Sequence, residues 1–199
     1  MNFEALIIIM MSAMLVNNYV LVQFLGVCPF LGTSKALRDA IGMGCAVVFV
    51  MLLAAAGTWP IQAFILQRFG LGFLQTIVFV LIIAVLVQFV EIVLKKFIPP
   101  LYESLGVYLP LMTTNCGIMA LTLLNANDNL TFVQSITNAA GAGLGFLLAI
   151  VLFAGIREHT ANMNPPKCFQ GAPMTLISAA MLSISFFGFG GIIENLFGQ

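Results

Sequence analysis

Apolar residues in this chain run in long blocks, and the polar residues gather in short clusters between them. A helix needs about 20 apolar residues to cross a bilayer. Blocks of that length lie at 5–31, 41–64, 71–94, 104–125, 130–156 and 172–194. Lys35, Arg38 and Asp39 separate the first two, and Arg68 with Gly70 separates the next pair. Lys95, Lys96 and Pro99-Pro100 close the third block, and Asn127-Asp128-Asn129 closes the fourth. Arg157-Glu158-His159 through Pro165-Pro166-Lys167 closes the fifth. The pattern predicts an all-α integral membrane protein with six transmembrane helices, in a single membrane domain covering 1–199.

Six spans put Lys35, Arg38, Lys95, Lys96, Arg157 and Lys167 on one side and Arg68 alone on the other. Positively charged loops stay inside, so both termini are expected outside, on the periplasmic or extracellular face. The first segment, MNFEALIII, has no Lys or Arg. It lacks the basic start of a cleavable signal and is expected to remain in the mature protein.

The halves echo each other. VNN (Val16 to Asn18) and TTN (Thr113 to Asn115) lie 97 positions apart, and the GMG at Gly42 and GAG at Gly141 lie 99 apart. Three helices per half is odd, so a repeat (about 1–98 and 99–199) has to be inverted in the membrane. Inverted repeats place broken helices and the functional site near the midplane. Broken or half helices are therefore expected in spans 1 and 4.

Composition closes off the alternatives. Hydrophobic residues make up 61% of the 199 and charged residues 7%, against about 25% charged in soluble domains; mean hydropathy is +1.11. The solvent for such a surface is lipid. Net charge is zero, which removes the electrostatic case for nucleic acid. Walker, HExxH and GxSxG motifs are absent, so no flavin or nucleotide is expected on this chain.

The chemistry concentrates in VNNYVLVQFLGVCPFLGTS (Val16 to Ser34) and LPLMTTNCG (Leu109 to Gly117). Asn17, Asn18 and Asn115 are amides in charge-free apolar runs. They suit either interhelical hydrogen bonds or a role at a helix break. Pro29 and Pro110 favour the break, because proline removes a backbone donor. Cys28 and Cys116 stand beside these features. A membrane cysteine can be a small apolar filler, or a thiolate ligand of an iron–sulfur cluster, which usually takes four. Cys45, in a plain apolar context, and Cys168, in a loop, read as structural. Glu91 precedes Lys95 by four residues and suits an ion pair at the membrane edge; with Gln88 it is also a candidate for an ion path. Gly141-xxx-Gly145 is a helix-packing pattern.

LVNNYVLVQFLGVCPFLGTSK, GMGCAVVFVM, LVQFVE, PPLYESLGVYLPLMTTNCGIMALTLLN and LFAGIRE together resemble the family that includes the A component of the Rnf complex. The likeness to the E component of the sodium-pumping NADH:quinone reductase is more distant. The resemblance implies a membrane component of a bacterial cytoplasmic-membrane complex that moves electrons between ferredoxin and NAD and couples this to Na⁺ or H⁺ transport. It further implies a homologous, oppositely oriented partner, the E component of the Rnf complex. The two would share a [2Fe–2S] centre, with Cys28 and Cys116 as this chain's ligands and two cysteines from the partner. In one straight helix Cys28 would lie about 15 Å beyond Asn18, at 1.5 Å per residue. A shared centre therefore requires the first span to break and fold back near Asn17-Asn18 or Pro29. Competing readings are a secondary carrier with its site at the broken helices, and a structural scaffold in which both cysteines tolerate replacement.

Overall fold

A computed structural model describes residues 3–16, 18–33, 37–66, 72–97, 115–161 and 171–197. Asn17, Glu103, Pro110, Thr113, Thr114 and Cys168 lie outside the described residues. Among the described residues all regular structure is helical. The elements are α1 (Phe3–Met11), continued by a π-turn (Ser12–Val16), then α2 (Val27–Thr33) and α3 (Leu37–Ile61), which runs into a second π-turn (Gln62–Leu66). A 3₁₀ turn (Gly72–Leu74) leads to α4 (Gln75–Phe97), and α5 (Cys116–Asn127), α6 (Phe132–Ala161) and α7 (Ala172–Phe197) follow.

Three stretches, Leu37–Phe64, Gln75–Val93 and Phe132–Thr160, are long and apolar enough to cross a membrane. Leu6–Leu15, Cys116–Asn127 and Pro173–Gly188 are shorter apolar helices. The first block, 5–31, is two helical pieces joined by irregular chain, and half of the fourth block, 104–114, lies outside the described residues. Pro60 sits inside α3 and has no N–H for the carbonyl of Ala56; the helix widens into the π-turn directly after it, as a lost ladder bond allows.

The core is built on α3 and α6, the most extensively packed pair. Glycine lets them approach. A β-carbon on Gly44 would lie 3.1 Å from Leu147 Cγ, and one on Gly143 would lie 3.1 Å from Val48 Cα. The opposite face of α6 carries the Gly141-xxx-Gly145 pattern. A β-carbon there would meet Met10 O at 2.6 Å and Met14 O at 2.9 Å, so the backbone of the first segment lies in direct contact with α6. Close backbone packing of this kind is how membrane helices associate without a hydrophobic driving force.

α4 shows the lipid boundary. Phe79, Ile83, Val87 and Val90 are buried, while Ile77, Leu81, Val85, Phe89 and Ile92 are exposed. A helix apolar on both faces is stable only where its outer face also meets apolar surroundings.

Candidate functional site: a capped break and a capped helix start that meet at a thiol

The helix that begins the chain ends before Asn18, and the chain is irregular from Asn18 to Gly26. Irregular backbone at membrane depth survives only if its polar groups find partners inside the protein. Asn18, 1% exposed, supplies several of them. Its Oδ1 accepts from the N–H groups of Val20 (3.1 Å) and Leu21 (3.3 Å), and its Nδ2 donates to Gly145 O at 2.9 Å and Met14 O at 3.4 Å. The Val22 N–H donates to Asn18 O and the Leu25 N–H to Tyr19 O. Ser183 of α7 donates its hydroxyl to Leu21 O. Phe24 and Gly26 adopt positive φ, 55° and 85°, and this turns the chain into α2. Only glycine takes that conformation without steric cost.

α2 is fastened to α6. Phe30 stacks on Phe153 with ring centroids 4.4 Å apart, and the Arg157 guanidinium donates to Leu31 O at 2.9 Å. An arginine on the last carbonyls of a short helix satisfies acceptors that the helix itself cannot. Pro29 stands in the first turn of α2, where its missing N–H is not needed. The break therefore falls before Pro29, at Asn18 to Gly26. Asn18 reaches Gly145 O and Gly26 lies beside the ring of Phe146, so the chain between them makes little advance along α6, where a helix would advance about 12 Å. Met10, Met14, Phe30 and Leu31 meet Gly141, Gly145, Phe153 and Arg157 in the same order, so the first segment keeps its direction along α6. The expected break is present at Asn18 to Gly26, and the irregular chain between α1 and α2 brings Gly26 against Cys116.

The second half-site starts at Asn115, 4% exposed. It is extended (φ −71°, ψ 109°) and caps α5, its Oδ1 accepting from the Gly117 N–H at 2.9 Å. Asparagine is among the best residues for this position. Cys116 is the first residue of α5.

The two stretches touch. The Gly26 N–H donates to Cys116 Sγ at 2.9 Å. A β-carbon on Gly26 would lie 3.1 Å from Asn115 Oδ1 and 3.7 Å from the ring of Phe146, level with the middle of α6. Cys28 follows Gly26 by two residues, a reach of about 7 Å at most. Cys28 and Cys116 are both free and exposed on the chain's own surface. Cys45 is also free and exposed, within α3. Among the described residues no three His, Cys, Asp or Glu side chains gather into a metal site. Among the described residues Cys28 and Cys116 are the thiols on these two stretches. The thiol set fits part of an iron–sulfur centre and not a whole one.

Gln88 donates to Glu91 Oε2 at 3.3 Å on α4, and neither residue reaches the Gly26–Cys116 contact. Sequence reasoning missed Arg157, read only as a loop charge, and Ser183, which looked like any membrane serine. It also missed Thr122, Asn125, Ser135 and Asn138, polar residues spaced three apart on α5 and α6. Asn125 donates to Ser135 Oγ (2.9 Å) and accepts from Asn138 (2.6 Å). Their helical spacing was the available signal.

Comparison with known proteins agrees with the motifs. Residues 6–193 match the family described as Rnf-Nqr subunit, membrane protein. The A component of the Na(+)-translocating ferredoxin:NAD(+) oxidoreductase complex of Acetobacterium woodii is 54% identical, over 94% of this chain and 97% of its own length. The A component of the ion-translocating oxidoreductase complex of Syntrophotalea carbinolica is 49% identical over 96% and 98%, and that of Azoarcus sp. 50% over 95% and 98%. With the family match running through all six apolar blocks, this chain belongs to the Rnf-Nqr family of membrane subunits.

Proposed function

We propose that this chain is the A component of an ion-translocating oxidoreductase complex of the Rnf type. In this reading it carries electrons through the bilayer at a centre shared with a homologous subunit, coupled to Na⁺ or H⁺ transport. The observation that carries the reading is the Gly26 N–H on Cys116 Sγ, between a capped break and a capped helix start and level with the middle of a membrane-length helix. Cys28 and Cys116 would be two of four thiolate ligands of a [2Fe–2S] centre, the other two coming from the partner, the E component of the complex. Bound there, such a centre supplies a one-electron site.

The chain's own residues prepare the place. The Gly26 N–H draws electron density from Cys116 Sγ, and hydrogen bonds to ligand sulfur are a main lever on the potential of such centres. Asn18, Ser183, Phe30 and Arg157 hold the irregular backbone in one arrangement, so little reorganisation accompanies a change of charge. The close packing of glycines along α6 keeps water out. The two halves act as inverted repeats within the inner membrane, with both termini on the outer side. Gln88 and Glu91 are candidates for the ion path.

Replacing Cys28 or Cys116 by serine should abolish the EPR signal of one iron centre in the purified complex and lower its iron content by the amount of one cluster. An unchanged spectrum in both variants would overturn the ligand assignment.

A further inference from the structure

A second polar feature lies away from the thiols. Where α3 ends and α5 turns into α6, a cavity of about 180 Å³ is lined by Thr58, Gln62, Thr122, Asn125, Thr131 and Ser135 among others. The described lining residues include no charged or titratable side chain, so the cavity cannot hold a proton on a group of its own. Its polar groups are neutral hydroxyls and amides, with the Trp59 indole. The hydroxyl of Thr58 donates to Ala54 O (2.7 Å), that of Thr122 to Met119 O (2.8 Å) and that of Thr131 to Gln134 Oε1 (2.9 Å). The protons of these three hydroxyls are thus spent on the protein, and their oxygens keep acceptor capacity for a guest. Gln62 Oε1 is buried without a hydrogen-bond partner among the described residues, and a buried carbonyl left without a donor costs about 1–3 kcal/mol. Gln62 also opens the π-turn after Pro60, a local geometry that recurs at functional sites.

We propose that this cavity binds a partly dehydrated monovalent metal cation, Na⁺ foremost. Hard neutral oxygens suit alkali cations and not soft metals. A cage without a formal negative charge binds weakly enough to release its ion, as conduction requires. The volume takes an ion with a few waters, since one water occupies about 30 Å³ in the liquid. Asp128 supplies a local negative charge. It lines the neighbouring cavity with Asn138, whose amide donates to Asn125 Oδ1 at the first. A cation drawn to Asp128 arrives beside the neutral cage. This inference rests on the reading of the chain as part of an ion-translocating complex and assigns that complex an ion site distant from its thiols.

The test is ²²Na⁺ binding to the purified complex, with choline and K⁺ as comparison salts. Gln62→Leu removes the unpartnered oxygen, and Thr122→Val removes a second with little change of shape. Each should weaken Na⁺ binding about tenfold, the loss of one oxygen ligand worth about 1.4 kcal/mol, while iron content and EPR spectrum stay as in the unaltered complex. Thr122→Val keeps the test open if Gln62→Leu does not assemble. Unchanged Na⁺ affinity in an assembled variant with normal iron would overturn the cavity assignment alone, leaving a cage that holds water. A missing iron signal in the unaltered complex would overturn the electron-transfer reading instead.

Discussion

Asn18 and Asn115 perform the same task in different ways. Each interrupts an apolar run and accepts the N–H two residues ahead, Val20 in one case and Gly117 in the other. Asn18 uses its whole amide, since its Nδ2 donates to Gly145 O and Met14 O. Asn115 uses half, because its buried Nδ2 has no partner among the described residues. The first asparagine is built into the scaffold. The second keeps a donor in reserve at the base of Cys116. The lesson is that equal residues at echoing positions can divide labour, one bracing the fold and the other facing whatever the thiols hold.

The sharpest way to break the comparison is Asn18→Ala. Four hydrogen bonds go at once and two backbone N–H groups lose their acceptor at depth, so the detergent-solubilised protein should lose about 3 kcal/mol of stability at roughly 1–3 kcal/mol per orphaned buried group. A loss no greater than that of Asn115→Ala would show that the two amides are equivalent after all. Gly26→Ala comes next. A side chain at φ 85° and 3.1 Å from Asn115 Oδ1 costs about 1–2 kcal/mol, and the shift of the chain should alter the spectrum of any centre held by Cys116. The smallest effect belongs to Asn115→Ala. It removes one cap bond, worth about 1 kcal/mol, and gives up no bond from Nδ2. Thermal unfolding of the three variants side by side orders them.

Much of this site was readable from residue types. An amide or a thiol in a long charge-free run stands out against leucine and valine, which is why Asn18, Cys28, Asn115 and Cys116 could be named without coordinates. The polar run at Asn127 marks the end of α5 for the same reason. What could not be read are relations between distant positions. Arg157 lies 126 residues from Leu31, and in a linear pattern it is one more positive loop residue. Ser183 lies 162 residues from Leu21. Pro29 signalled a break, but proline is also tolerated in a first helical turn, and only the position of Asn18 relative to α6 decides between the two. The polar cavity needed the pairing of α5 with α6, which turns two unremarkable polar spacings into one facing surface.

The attachment of the first segment to α6 has a mechanical consequence. Contacts at Gly141, Gly145, Phe153 and Arg157 are spread along one rigid rod for about 24 Å, at 1.5 Å per residue. Both ends of the irregular stretch are therefore clamped to the same rod, and the distance between them cannot change. If α6 tilts or slides, Cys28 travels with it as cargo, while Cys116, carried by α5, is tied to that cargo through the Gly26 contact. The Gly26–Cys116 bond is then the joint at which motion of one rod relative to another would first register as a change around sulfur.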